Sequence, residues 1–328
     1  MAGVTNGLVE STNLAIECKI QLVKDKFKEV EKMRIDACES LFTLPKFMME
    51  GKECVQKIFE DYSPKLNQIP NLAEKDIISI GEILSTNLFH LFLNEQGVES
   101  ALLPAFSLMR VNKDGEPDYC YIAESLDRFL DSCSGINVII TQGFICRNSK
   151  GEIDNLKRGG SDYSAAITGN AIGADEVQIW TDIDGFHNND PRYVKGAIPI
   201  RQLSFGEAAE LAYFGAKILH PSTFHPCRQK GIPVILKNTL NPTNFGTVIT
   251  SQQQESGIKA IAAKDGITAI RIKLLRMPMA HGFLNKIFDK LKTPVDPITT
   301  SEVAVTLTIS NIQNLESILK SPKGLFKY

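Results

Sequence analysis

The most informative stretch of the chain runs from Leu156 to Ala166, where a basic residue is followed by two glycines, a serine and an acid. Backbone N–H groups at a glycine turn that opens a helix point outward together and can hold an anion. Glycine is needed there because a phosphate or carboxylate must approach the backbone closely. Arg158 adds a planar guanidinium suited to carboxylates and phosphates. The stretch therefore predicts a site for a small anionic substrate, a nucleotide, or both.

Strands and helices alternate around this turn, which is typical of an α/β domain with a mostly parallel sheet. Residues 137–141 predict a buried strand that exits at Gly143, and residues 176–181 predict a second strand that ends before Asp182. Open α/β sheets bind ligands at the carboxyl ends of their strands, so we expect both strand ends and the glycine turn to share one edge. Residues 11–60 are charged with helical spacing and predict surface helices over this sheet.

Two pairs of residues have the spacing of a helix capping box. Ser79 and Glu82 predict a helix that begins at Ser79 and runs to Gly97, a glycine placed to end it. Ser204 and Glu207 predict the start of another helix. A structural role for Glu82, as the acid of its capping box, is therefore an alternative to any role in binding.

The chain changes character near residue 255, where residues 251–257 are polar and linker-like. The segments beyond this point predict a small β-α-β-β-α unit. We therefore expect two domains, residues 1–250 and residues 256–328. The elements predicted in the second are strands at 267–275 and 302–309 and helices at 283–291 and 312–319.

Composition narrows the class of protein. The chain is 43% hydrophobic and 23% charged, which is ordinary for a globular protein. A net charge of −2 gives no reason to expect nucleic acid as a partner. Seven cysteines, an odd number without a C-x-x-C pair, favour reduced thiols in the cytoplasm. No uninterrupted apolar run approaches the roughly 18 residues of a membrane span, and neither a secretory signal nor metal-ligand spacing is evident.

The familiar nucleotide motifs are missing. The sequence contains neither G-x-x-x-x-G-K-[ST] nor G-x-G-x-x-G, and the protein-kinase signature set is absent. A P-loop enzyme and a Rossmann dehydrogenase are therefore not supported.

Five motifs, in order along the chain, resemble the amino acid kinase family. They are Thr141-Gln142-Gly143-Phe144-Ile145, Gly159-Gly160-Ser161-Asp162-Tyr163, Ile179-Trp180-Thr181-Asp182, Asp190-Pro191-Arg192 and Phe214-Gly215-Ala216-Lys217-Ile218-Leu219-His220-Pro221. Within that family the set is similar to the aspartate kinases of the lysine-sensitive, single-function type. Residues 282–284 and 299–303 resemble the first regulatory ACT domain of those enzymes.

The resemblance implies the amino acid kinase fold, a mostly parallel sheet between helices, followed by a small α+β ACT domain. It also implies ATP-dependent phosphorylation of L-aspartate to 4-phospho-L-aspartate, the first step of lysine, threonine and methionine synthesis. The physics of that reaction agrees with the residues found. A carboxylate of pKa about 3.9 is already ionised, so it needs no general base. Catalysis then depends on positioning and on neutralising the charge of the transferred phosphoryl group.

The resemblance implies an aspartate site in which Arg158 binds the α-carboxylate, Glu82 contacts the amino group and Asp162 organises the catalytic centre. Arg158 and Asp162 are the expected catalytic residues. The expected substrate-binding residues are Thr5, Asn6, Glu82, Arg158, Gly159, Gly160 and Ser161. The residues alone leave other interpretations open: a solvated Arg158, Ser161 as an ordinary N-cap, and Asp162 as a helix-dipole partner.

An ATP site is likewise implied, with Mg²⁺ carried by the nucleotide and no separate metal site on the protein. The expected ATP-binding residues are Thr181, Asp182, His187, Arg192, Lys217 and Ile218. His187 stands where the family often has tyrosine. The alternative for Arg192 and Lys217 is a pair of solvated surface charges.

A lysine effector site is implied in the second domain, and its expected residues are Met277, Gly282, Phe283, Leu284, Asp296, Ser301 and Glu302. ACT domains pair across subunits in the family, so we expect a homodimer. No segment matches the Lys-Phe-Gly-Gly motif of the family, so we expect the catalytic domain to lack its first strand-helix-strand and the ACT domain to be partial. The alternative function is therefore an impaired fragment or regulatory chain that binds lysine.

Overall fold

The fold is described by a computed structural model of the 328-residue chain. The structure describes residues 7–11, 14, 20–68, 73–157, 159–214, 219–252, 257–273, 285, 288–289, 295–301 and 304–310. The chain forms two compact units, Met1–Ile261 and Ala262–Tyr328. The predicted domain limits, 1–250 and 256–328, stay predictions.

Three long helices form a layer of their own at the start of the chain. They are α1 (Ile20–Leu41), α2 (Pro45–Tyr62) and α3 (Ala73–Glu95), with a 3₁₀ turn at Ser63–Gln68 after α2. Apolar residues at three- and four-residue spacing are buried between the helices, and the rings of Phe27 and Phe59 meet edge to face with centroids 4.7 Å apart. The prediction that residues 11–60 cover the sheet is wrong in part, because α1 and α2 bury their apolar faces on helices.

The helix α3 is the inner member of this layer and also packs on the two strand pairs described below. Its segment Lys75–Glu95 is long and apolar enough, by length and composition, to cross a membrane. However, Ile77, Ile80, Leu84 and Leu88 are buried in the core shared with α1 and α2. That burial is the pattern of a core helix.

The start of α3 corrects the capping box predicted at Ser79 and Glu82. The helix begins at Ala73, six residues earlier, and Ser79 is buried inside it with its Oγ donating to the Asp76 carbonyl at 2.6 Å. The apolar spacing continues back to Ile77, so burial of that face rather than the box fixes the start. The predicted end is confirmed, because α3 ends at Glu95 and Gly97 has a φ of 74°.

The middle of the first unit contains two strand pairs. The strands β1 (Ser100–Leu103) and β2 (Val138–Thr141) are parallel, and α4 (Ala105–Leu108) and α5 (Tyr119–Ser132) lie between them in sequence. The strands β3 (Ile145–Arg147) and β4 (Ile153–Asn155) form an antiparallel pair. The helix α6 (Gly160–Ile172) follows. The strand predicted at 137–141 is therefore confirmed as β2.

A four-stranded sheet forms the last part of the first unit. Its strands are β5 (Val177–Thr181), β6 (Gln202–Ser204), β7 (Val234–Asn238) and β8 (Thr247–Thr250), in the order β5-β7-β8-β6. The β5–β7 and β6–β8 pairs are parallel and the β7–β8 pair is antiparallel. Its helices are α7 (Phe205–Phe214) and α8 (Phe224–Lys230), with a 3₁₀ turn at Pro221–Thr223. The α/β class and the strand at 176–181 are confirmed.

The second predicted capping box is confirmed at the start of α7. The Oε2 atom of Glu207 accepts from the Ser204 backbone N–H at 2.7 Å and from the Ser204 hydroxyl at 2.8 Å. The other carboxylate oxygen of Glu207 lies 2.8 Å from Nζ of Lys259. The box therefore also fixes residue 259, which precedes the second unit.

The second unit is built on an antiparallel sheet of β9 (Thr268–Lys273), β10 (Ile298–Ser301) and β11 (Ala304–Ile309), in the order β10-β11-β9. The strand predicted at 302–309 is thus the second arm of a hairpin, and its first arm, β10, is a strand of the predicted β-α-β-β-α unit for which no bounds were predicted. Asn285, Phe288 and Asp289 are helical, inside the helix predicted at 283–291. The helix predicted at 312–319 lies outside the described residues.

Candidate active site

The exit of β2 and the start of α6 touch each other through glycines. A Cβ atom on Gly143 would lie 2.9 Å from Cα of Ser161, and one on Gly160 would lie 2.6 Å from Cδ2 of Phe144. We call Gly143, Phe144 and residues 159–162 the glycine cluster. The two predicted motifs are therefore brought together, and side chains at these two glycines would push them apart.

The backbone of the glycine cluster is bent in ways that side chains rarely tolerate. Gly159 is the N-cap of α6 with a φ of 67°, and Phe144 has a φ of 69° although it is not glycine. The side chain of Ser164 connects the two segments. The hydroxyl of Ser164 accepts from the Phe144 N–H at 2.9 Å and donates to the Gly160 carbonyl at 2.8 Å. Strain held by surrounding hydrogen bonds in this way is common at functional sites.

The polar residues of α6 have the placement expected of a site, with one correction. Gly159 is the N-cap, so the alternative of Ser161 as N-cap is wrong, and Ser161 is exposed in the first turn of the helix. Asp162 also lies in that first turn and is half-buried. Burial raises the pKa of the Asp162 carboxyl.

Glu82 lies on α3 and is connected to the glycine cluster through Gln142. The Gln142 amide donates to Oγ1 of Thr86 at 2.7 Å, and that hydroxyl donates to the Glu82 carbonyl at 3.0 Å. Glu82 is half-buried, and burial raises the pKa of its carboxyl. Within the described part of the chain, neither Glu82 nor Asp162 forms an ion pair. Two desolvated acids of this kind suit a ligand that carries positive charge, such as an ammonium group or a nucleotide-bound Mg²⁺.

A second group of predicted residues follows β5. Thr181 is the last residue of that strand, and its carbonyl accepts from the Thr239 N–H at 2.8 Å. Its hydroxyl donates to the exposed carboxylate of Asp182 at 3.1 Å. Thr181 and Asp182 therefore lie at a strand end, as predicted, beside the end of β7.

The loop that continues from Asp182 to Arg192, here called the 182–192 loop, is held by side chains of neighbouring strands. Asn238 donates to Asp184 at 2.6 Å, and this hydrogen bond lowers the pKa of the Asp184 carboxyl. The hydroxyl of Thr247 accepts from the N–H of the fully buried Phe186 at 2.9 Å. Gly185 has a φ of 109°, and a Cβ there would lie 2.4 Å from the same hydroxyl. The loop is thus anchored at its base.

The tip of the loop is at the surface. The half-buried His187 lies with Nδ1 3.1 Å from the Gly185 carbonyl oxygen. The side chain of Arg192 is 74% exposed and donates to both carboxylate oxygens of Asp190, the shortest contact being 2.6 Å. This pairing lowers the pKa of Asp190. Arg192 is therefore an accessible cation already oriented by a carboxylate.

Some predicted site residues lie outside the described residues: Thr5, Asn6, Arg158, Lys217 and Ile218. The structure does describe residues that lie close in sequence to Arg158 and to Lys217. A Cβ on Gly159 would lie 2.8 Å from Cβ of His220 and 3.5 Å from Oγ1 of Thr223. The glycine cluster therefore packs on the segment that begins three residues after Lys217.

The predicted effector residues that the structure describes have structural partners. Asp296 is paired with Lys264 at 3.3 Å and accepts from Ser310. The hydroxyl of Ser301 closes the β10–β11 turn by contacts of 3.2 Å with Ala304. Met277, Gly282, Phe283, Leu284 and Glu302 lie outside the described residues. The effector role of the whole set stays a prediction.

Sequence reasoning missed the side chains that hold the site together: Gln142, Ser164, Asn238 and Thr247. Gln142 lies within one of the five motifs, and Asn238 ends a buried strand as Thr181 does, so position at a strand end was an available signal. Nothing in the spacing of Ser164 or Thr247 marks them. Among the described residues, no group of three His, Cys, Asp or Glu side chains is placed to hold a metal ion.

Comparison with known proteins adds to this geometry. The profile described as "Amino acid kinase family" matches residues 2–238. The chain belongs to the amino acid kinase family. Within it the chain groups with the aspartokinases, as predicted. It is 33% identical to aspartokinase 1, chloroplastic, of Arabidopsis thaliana over 94% of this chain. The match spans 56% of that relative, so this chain covers a little over half the length of the relative.

Two solved structures of Escherichia coli aspartokinase III share the fold. The complex with lysine and aspartate, a T-state, superposes with a TM-score of 0.78 at 31% identity, covering 100% of this chain and 76% of that chain. The complex with aspartate and ADP, an R-state, gives 0.76 at 31% identity over 99% and 76% of the two chains. The amino acid kinase fold is therefore common to this chain and to aspartokinase III.

Proposed function

We propose that this protein is an aspartate kinase, which transfers the γ-phosphoryl group of ATP to the side-chain carboxylate of L-aspartate. The observation that carries the proposal is the glycine cluster, packed through Gly143 and Ser161 and linked by Gln142 to Glu82. Family membership and the aspartate-bound and ADP-bound states of aspartokinase III support it.

In this proposal the acceptor is recognised at both of its ends. Arg158 binds the α-carboxylate, because a guanidinium favours carboxylates. The N–H groups at the start of α6 bind the side-chain carboxylate, because a helix N-terminus favours anions. The half-buried Glu82 binds the α-ammonium group, which compensates the cost of burying its own carboxylate. Asp162 orients the reacting groups. The acceptor carboxylate is already ionised at neutral pH, so no side chain has to remove a proton.

The nucleotide is assigned to the other group of residues: Thr181, Asp182, His187, Arg192, Lys217 and Ile218. Arg192 exchanges its partner Asp190 for a phosphate oxygen, which is feasible because the ion pair is exposed. Mg²⁺ bound to the nucleotide would neutralise phosphate charge when present, and the half-buried carboxylate of Asp162 is the type of ligand that such a cation prefers. The described residues show no separate metal site.

The finer assignments belong to the same proposal. Residues 1–250 form the kinase domain and residues 256–328 an ACT domain that binds lysine through Met277, Gly282, Phe283, Leu284, Asp296, Ser301 and Glu302. We propose a homodimer in the cytoplasm that works in lysine, threonine and methionine synthesis. Lysine bound to aspartokinase III in the T-state supports the choice of effector.

A hydroxamate assay tests the activity directly. The purified chain is incubated with ATP, Mg²⁺, aspartate and hydroxylamine, and aspartyl hydroxamate is measured. Product that depends on both ATP and aspartate is expected, and glutamate in place of aspartate is the control acceptor. No product at saturating substrates would reject the proposal for this chain.

The alternative is a regulatory chain that binds lysine without catalysis. The lysine-bound T-state of aspartokinase III supports its lysine-binding part. Calorimetric titration with lysine distinguishes the two. Lysine binding without hydroxamate formation would favour the regulatory chain, and hydroxamate formation would exclude it.

A further inference from the structure

Gln142 is buried at the junction of three elements, with a hydrogen bond at each end of its amide. The residue is 4% exposed. Its Oε1 accepts from the Ala105 N–H at 2.7 Å, at the start of α4, and its Nε2 donates to Oγ1 of Thr86 on α3 at 2.7 Å. A backbone N–H can only donate, so Ala105 fixes which end of the amide faces which neighbour. The rotamer of Gln142 is therefore determined by chemistry as well as by packing.

This amide connects the two parts of the candidate acceptor site. On one side, the Thr86 hydroxyl accepts a hydrogen bond from the Gln142 amide. The same hydroxyl donates to the backbone carbonyl of Glu82 at 3.0 Å. On the other side, the next residue along the chain is Gly143, in contact with Ser161 of the glycine cluster. Glu82 and the glycine cluster lie on different elements, α3 and α6. Among the described hydrogen bonds, the Gln142–Thr86 bond joins the turn of Glu82 to the segment that follows β2 and contains Gly143.

We infer that Gln142 is a positioning residue, which sets the distance between Glu82 and the glycine cluster and thereby the length of the amino acid that the site accepts. The inference rests on the proposed function, in which the α-ammonium group lies at Glu82 and the side-chain carboxylate lies at the cluster. When both ends of an amino acid are bound, the separation of the two binding groups determines the length of the amino acid that fits. Glutamate is one methylene longer than aspartate, so a fixed separation excludes it.

The expected effect is selective for the acceptor. Misplacement by about 1 Å costs roughly a hundredfold in rate. Removing the amide lets α3 shift relative to β2, so KM for aspartate should rise about tenfold and the preference for aspartate over glutamate should fall by a similar factor. KM for ATP should stay within about twofold, because the residues assigned to ATP lie on other elements.

The test compares two variants at this junction with one control elsewhere. Gln142→Leu keeps the volume and removes both hydrogen bonds. Thr86→Val keeps the shape and removes the hydroxyl, and it serves as the second variant if Gln142→Leu fails to fold. The matched control is Asn170→Leu, a buried amide on α6 whose Nδ2 donates to the Pro226 carbonyl at 2.7 Å. It should lower Tm and leave KM for aspartate unchanged.

A rise in KM for aspartate with unchanged KM for ATP, together with relaxed discrimination against glutamate, supports the inference. KM values for both substrates rising together, or neither changing in a folded variant, overturns it. Wild-type activity decides the proposed function separately. If the wild type forms no aspartyl phosphate, calorimetric titration with aspartate carries the same comparison, and equal Kd for wild type and variant overturns the inference. A wild type that neither reacts nor binds aspartate overturns both.

Discussion

The glycine cluster and the 182–192 loop are held in place by different means. In the cluster, backbone and ring atoms fill the space where side chains would begin, as at Gly143 and Gly160. In the loop, the base is fixed by side-chain hydrogen bonds such as Asn238 to Asp184, and the tip carries the exposed Asp190–Arg192 pair. The cluster is therefore rigid before any ligand arrives, whereas the tip of the loop can exchange its partners.

The difference fits the two ligands proposed. A small acceptor has few atoms to contact, so its orientation depends on a pre-formed backbone that costs nothing to arrange during reaction. A nucleotide has many contacts and tolerates side chains that reorganise around it. Substitutions in the cluster should accordingly lower activity and stability more than substitutions at the tip of the loop.

The largest effect is expected for Gly143→Ala. The new methyl group would lie 2.9 Å from a backbone atom of Ser161, so β2 and α6 must move apart. Overpacking of this kind costs about 1–3 kcal/mol of unfolding free energy. The shift should lower kcat/KM for aspartate by roughly a hundredfold. Denaturant unfolding and the hydroxamate assay measure the two effects.

Gly206→Ala is the matched control for this substitution. Gly206 lies in α7 with its nearest contact at 4.0 Å, so alanine should be neutral or stabilising by up to about 1 kcal/mol. Equal loss of activity in both variants would contradict the explanation that a side chain at Gly143 has no room beside Ser161.

Asp162→Asn separates catalysis from stability in the same region. Burial raises the folded pKa of Asp162, so its contribution to stability is present at acid pH and is lost as pH rises through that folded pKa. At neutral pH the amide should therefore increase the unfolding free energy. Activity should fall about a hundredfold or more, because the charge that orients the reacting groups is lost.

The measurement is Tm as a function of pH for wild type and variant, alongside kcat. The gap in Tm between them should narrow toward low pH, where the wild-type carboxyl is protonated. A variant that is less stable than wild type at neutral pH would show that the carboxylate is compensated by a cation in the folded state.

Arg192→Ala tests the tip of the loop. A charge-assisted hydrogen bond is worth about 1.5–3 kcal/mol, so KM for ATP should rise roughly tenfold or more while KM for aspartate is unchanged. The unfolding free energy should change by less than about 0.5 kcal/mol, because the ion pair with Asp190 is exposed. The control is Arg128→Ala, at an exposed arginine of α5, which should alter neither KM. An unchanged KM for ATP in the Arg192 variant would show that Arg192 does not bind the nucleotide.

The smallest effect is expected for Glu207→Gln, in the capping box of α7. Burial alone would raise the pKa of Glu207, but Lys259 and Ser204 outweigh it and lower the pKa. Its stabilisation is therefore present above the unfolded pKa and lost as pH falls through the lower folded value. The variant should lose about 1 kcal/mol at neutral pH and show a weaker acid dependence of Tm. Glu39→Gln, in the exposed pair with Lys52, should change stability less.

The elements that carry the site were predictable where local signals agree with burial. The strands β2 and β5 are short apolar runs, and the box at Ser204 precedes an apolar helix, so pattern and packing point the same way. The box at Ser79 failed because the same spacing lies inside a longer apolar stripe of α3. A capping signal of about 1 kcal/mol yields to several buried aliphatic side chains.

The site was predictable as a set of motifs but not as a geometry. The contact between Gly143 and Ser161 joins residues 18 positions apart in sequence, and it follows from how β2 and α6 pack. The link from Gln142 to Thr86 spans 56 positions. Such contacts have no local signature, so the sequence predicted candidates for ligand binding and did not indicate the residues that hold those candidates in place.

The filled space around the glycine cluster also limits how this sequence can vary. A methyl group at Gly143 would meet the backbone, one at Gly160 would meet Phe144 and one at Gly159 would meet His220. Three adjoining positions thus admit no side chain without displacing a neighbour. A library of variants made to select for a new acceptor substrate therefore gains nothing from randomising these three glycines. Useful diversity lies one layer outward, at residues that can change size without pushing the two backbones apart.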